Sequence, residues 1–151
     1  MSNEFIMPTL EKDEFEKLKS YDISQIFIVA FFGGIIPTVI LGCINMKWLK
    51  IRKVIIVISA IIGALLLAAK MCLITLYFSG EIELAQRSIR LISKIGAVVL
   101  YCFYYFLMKS RFALYQTFYK GTEPLLKPAI KWIILGIIVE FVLMYIGRSI
   151  V

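Results

Sequence analysis

The chain has 151 residues, 61% of them apolar and 18% charged, with a formal net charge of +7. Its mean hydropathy of +0.89 leaves too little polar surface to coat a soluble globule, so lipid is the expected solvent. Four membrane spans at about 20 residues each would consume most of the chain, which excludes a second, soluble catalytic domain.

The composition also removes most reaction chemistry. Histidine is absent, and with it the usual neutral-pH acid/base and the commonest metal ligand. Cys43, Cys72 and Cys102 lie scattered in apolar runs without metal-ligand spacing and read as packing residues. No nucleophile and base pair, phosphate loop or metal cluster is visible, so no catalytic residue, cofactor or metal is expected and the chain reads as non-enzymatic. The bases sit beside apolar runs and form no isolated basic segment, which argues for membrane topology signals and against nucleic acid.

In chain order, residues 1–22 form an acidic tail with six acids against three lysines, in which 9–20 has the spacing of a short helix. Residues 26–46 carry no charge and predict the first span, opened by Asp22 and Gln25 in the manner of a capping box. Gly33, Gly34, Pro37, Thr38 and Gly42 lie within it. Pro37 predicts a kink, because it has no N–H for the carbonyl four residues back. Gly34, Thr38 and Gly42 recur every four residues and predict a small face against a neighbouring helix.

After the basic turn of Lys47, Lys50, Arg52 and Lys53, residues 54–78 predict a second span interrupted only by Lys70. Residues 80–94 are amphipathic and predict a surface helix or an early extension of the third span, placed at 91–108. Tyr101, Tyr104 and Tyr105 read as an aromatic belt, with a ligand pocket as the alternative. Phe112, Tyr115, Phe118 and Tyr119 form a stripe suited to the headgroup layer. Gly121 and Pro124 break the chain, Pro128 suits a first helical turn, and 129–147 predict the fourth span with Glu140 inside it. The expected fold is thus all-α: a bundle of four transmembrane helices with short interfacial helices.

Counting Lys and Arg, nine on the first and third loops oppose seven on the tail, second loop and C-terminal end, with Lys70 left inside a span. Trp48 and Trp132 stand beside the larger group. Both features place those two loops in the cytoplasm and both termini outside.

Lys70 and Glu140 are the two charges a bilayer penalises, by about 2.5–3.5 kcal/mol each near its centre. Both lie roughly 11 Å from the expected outer ends of their spans, close enough to meet, although the inner ends disagree by about 10 Å. The alternatives are a snorkelling lysine or a Glu140 that carries a proton.

Phe32-Gly33-Gly34, an apolar stretch to Asn45 and then Lys47-Trp48-Leu49-Lys50 resemble the opening of a family of small, uncharacterised bacterial four-span membrane proteins. That resemblance implies architecture only. The expected function is a helix-packing accessory subunit or self-associating protein of a bacterial cytoplasmic membrane, with lipid and either itself or another membrane protein as partners. A small oligomeric transporter moving a proton or cation past Glu140 is the alternative, and a membrane immunity protein a third.

Overall fold

The computed structural model describes residues 19–81, 86–118 and 121–150. They form five helices: α1 (Ile23–Gly33), α2 (Ile35–Trp48), α3 (Lys53–Phe78), α4 (Gln86–Phe118) and α5 (Leu126–Ile150). By length and apolar composition α3, α4 and α5 can each cross a membrane, whereas α1 and α2 are shorter apolar helices. At 1.5 Å per residue those two extend only about 16 and 21 Å, each well short of a ~30 Å hydrocarbon core.

The expected first span at 26–46 is not one kinked helix. Gly34 adopts φ +78°, a left-handed conformation that costs little only without a Cβ, and the chain reverses there. Its N–H still donates to the Ala30 carbonyl at 3.2 Å, which closes α1. Pro37 then falls in the first turn of α2, where a missing N–H leaves no bond unmade. The proline starts a new helix instead of bending an old one. A Cβ on Gly33 would stand 2.6 Å from the Pro37 ring and 2.8 Å from Ile133, so the reversal is packed too tightly for a side chain there.

The two arms close on each other at their far ends. The Tyr21 ring lies 4.6 Å from that of Trp48, and the Tyr21 N–H donates to Asn45 Oδ1 at 2.8 Å. The Ser20 hydroxyl donates to the same oxygen at 3.1 Å, and Asn45 Nδ2 reaches Met108 Sδ at 3.5 Å. The Glu123 N–H donates to the Ser20 carbonyl at 2.9 Å. The last described residues of the tail, the turn after α2, the end of α4 and the start of α5 therefore share one end of the bundle. The expectation that the tail and the Lys47–Lys53 turn lie on opposite sides does not fit this geometry. Burial, and then the charge of Glu123, push the Tyr21 phenol above its ordinary value, so the ring meets Trp48 uncharged.

Three antiparallel helices complete the bundle around α2, which packs against all of the others. Its Thr38, Leu41, Asn45 and Met46 are inaccessible to solvent. Outside, α3, α4 and α5 present Ile61 and Leu65, Val99 and Phe106, and Ile138 and Phe141. An apolar exterior around a core with buried hydrogen bonds is the arrangement lipid demands.

Several boundaries differ from expectation for local reasons. Asp22 does cap α1, accepting from the Ser24 N–H at 2.9 Å, so the helix begins at Ile23. The amphipathic stretch before the third span continues into α4, so 86–94 form its first turns and no separate surface helix stands among the described residues. At its other end α4 runs through Phe112 and Tyr115, whose hydroxyl donates to the Gly121 carbonyl at 2.7 Å. That aromatic stripe belongs to a helix end folded onto the bundle. Residues 9–18 of the short helix expected at 9–20, Tyr119 and the side chain of Phe118 lie outside the described residues, and Lys19 and Ser20 are not helical.

Candidate functional site

Lys70 and Glu140 are brought together. Lys70 Nζ donates to Glu140 Oε1 at 2.5 Å, with the lysine side chain 11% exposed and the glutamate side chain 33%. The depth mismatch expected from the sequence is largely removed because α5 starts at Leu126, not near Lys131. Lys70 then lies about 25 Å along α3 and Glu140 about 21 Å along α5 from the shared end. The lysine stem spans the rest.

The pair sits against the turn of the hairpin. A Cβ placed on Gly34 would be 3.0 Å from Glu140 Oε1, so the glycine lets the backbone approach the carboxylate. Gly136, one turn before Glu140, meets Pro37 and the Gly33 carbonyl at 3.0 and 3.4 Å when a Cβ is built on it. Two small-residue contacts thus lock α5 onto the tip between α1 and α2. The Thr38 hydroxyl donates to the Gly34 carbonyl at 2.7 Å, back onto the first turn of α2.

Above this tip, toward the far end of the bundle, is a vestibule of about 360 Å³. Phe32, Gly33 and Gly34 form its floor with Lys70 and Glu140. Ile74, Tyr77 and Phe78 of α3, Ile89, Arg90, Ser93 and Lys94 of α4, and Ile137, Phe141 and Met144 of α5 form its walls. Lys94 Nζ stands 5.3 Å from the Phe31 ring centroid, a cation–π contact between α4 and the first arm of the hairpin.

The small residues of the first segment make their close contacts within the chain. Gly42 faces the ring of Tyr104, and a Cβ there would fall on the ring atoms. Tyr104 belongs neither to a belt nor to the vestibule: it is fully buried and donates its hydroxyl to the Ser59 carbonyl at 3.2 Å. Tyr101 and Tyr105 are half-buried beside it. Gly63, unremarked in the sequence, admits Val39 in the same way, which brings α2 and α3 together. Cys43 is partly buried, while Cys72 and Cys102 lie on the exterior. Among the described residues no cluster of three metal-ligating side chains occurs.

Arg90 and Lys94 were missed as site residues because their i, i+4 spacing looks like ordinary membrane-edge charge. Their signal was an excess of cations on the less basic side of the chain.

No family model matches the chain, and no curated protein or solved structure matches it either, so the likeness at residues 32–50 stands on those residues alone. What fold and site define is an all-helical protein with three helices long and apolar enough to cross a membrane and a charged pair in the lining of a cavity.

Proposed function

We propose that this chain is a non-enzymatic carrier of a bacterial cytoplasmic membrane, with α3, α4 and α5 crossing the bilayer and α1–α2 entering and leaving on one side. The vestibule admits a solute from the opposite side, and the Lys70–Glu140 pair closes it beneath against the hairpin tip. The observation that carries this reading is the ion pair lying against the tight turn between α1 and α2. Charged groups at membrane depth are costly, and unwound helix segments beside them are a recurring way to build a substrate site.

The charge distribution supports the orientation. With the hairpin folded back, Lys19 joins the basic turns, and the balance of nine against seven becomes ten against six. The basic end is then cytoplasmic, the tail has no membrane to cross, and the C-terminal end of α5 lies outside. Self-association through Gly34, Thr38 and Gly42 loses its motive, since those residues contact Glu140, the Gly34 carbonyl and Tyr104 of the same chain.

The gate is tested by a single cysteine at Thr38, which is fully buried below the pair, in a chain with its native cysteines replaced. In proteoliposomes Thr38→Cys should resist a small thiol reagent, and Glu140→Gln in the same chain should make it reactive. Equal protection with and without Glu140 would remove the gate.

A further inference from the structure

The vestibule carries an unbalanced charge. Lys70 and Glu140 neutralise each other on its floor at 2.5 Å. Arg90 and Lys94 remain in its wall, and among the described lining residues Glu140 is the only carboxylate. The two cations are four residues apart on α4, so they share a face, and like charges at that spacing repel. Lys94 Nζ also stands over the ring of Phe31 on α1, just before the hairpin tip. An oxyanion between them would turn the repulsion into charge-assisted hydrogen bonds. Ser93, between them in sequence and in the same wall, adds a hydroxyl donor.

The remaining wall is apolar. Ile74, Tyr77, Phe78, Phe141 and Met144 offer no counter-charge, and a volume of about 360 Å³ is near the lower limit of pockets that accept small organic molecules. We infer that the vestibule binds an amphipathic anion, a carboxylate or phosphate head held by Arg90, Lys94 and Ser93 with an apolar body against α3 and α5. Such a head can belong to a free organic acid or to an anionic lipid whose headgroup enters from the membrane. The inference rests on the vestibule as the solute's way in, but not on the gate beneath it.

The test uses the full chain in phosphatidylcholine nanodiscs, with decanoate as probe, decanol as its uncharged counterpart and phosphatidylglycerol as a second probe built into the disc. Decanoate should raise Tm saturably and decanol should not. Arg90→Gln combined with Lys94→Gln should weaken the apparent affinity by about tenfold or more, as expected for loss of charge-assisted bonds. Both positions are exposed, so the ligand-free Tm of the double variant should remain near that of the parent, and that value is measured first. A response to phosphatidylglycerol alone, lost in the double variant, supports the same site with lipid as its source. Equal shifts by decanoate and decanol, or shifts unchanged in the double variant, overturn the inference. If decanoate binds as described while Thr38→Cys stays protected without Glu140, the gate fails and the anion site stands. The reverse pattern leaves the gate and removes the anion.

Discussion

Tyr21 and Trp48 stand at opposite ends of an uncharged segment that reads as one membrane span, yet their rings are 4.6 Å apart. The contact is reinforced by the Tyr21 N–H on Asn45 Oδ1 at 2.8 Å. A segment whose ends touch is a hairpin of two short apolar helices and not one helix of spanning length. Irregular backbone at its turn is tolerable only because Gly33, Gly34 and Ile35 are buried in protein.

This relationship predicts a labelling pattern. In a chain without native cysteines, Lys19→Cys and Lys50→Cys should react with a membrane-impermeant thiol reagent only after cells are permeabilised. Ser149→Cys should react in intact cells. Labelling of Lys19→Cys together with Ser149→Cys, and not with Lys50→Cys, would restore a first helix that crosses the membrane.

The glycines predict a stability pattern without an effect on association. Gly42→Ala drives a methyl group into the buried Tyr104 ring and should destabilise by about 1–3 kcal/mol. Gly96→Ala, where an added Cβ meets nothing within 4 Å, should be neutral or stabilising by up to about 1 kcal/mol, since alanine is the better helix former. Thermal unfolding in detergent beside sizing by light scattering reads both. A change of oligomer size in Gly42→Ala at unchanged Tm would place that face at a subunit contact instead.

The long apolar runs made α3 and α5 legible to within a few residues, because lipid leaves few alternatives to a helix of spanning length. The hairpin was not legible. Residues 26–46 satisfy every local criterion for one span, and what divides them is tertiary: the fit of Gly33 against Ile133 and the capture of Tyr21 by Asn45, partners distant in sequence. The same holds for the site. The cost of Lys70 and Glu140 in lipid marked them individually, but their meeting depended on where α5 begins, and helix boundaries are the least readable feature of a chain. Arg90 became a site residue only once α4 extended past the expected start of its span, and Lys94, already inside that span, only once the vestibule placed it in the same wall as Arg90.

The most direct test of the account is a double-mutant cycle on Lys70 and Glu140, read as Tm of the purified protein. Lys70→Met and Glu140→Gln should each destabilise, by about 2–3 kcal/mol, below the range for a fully buried pair because the Glu140 side chain is a third exposed. The double variant should regain most of that loss, since neither charge is then stranded. Strictly additive losses would show that the two side chains do not act as a pair, and with that the closure beneath the vestibule would be gone.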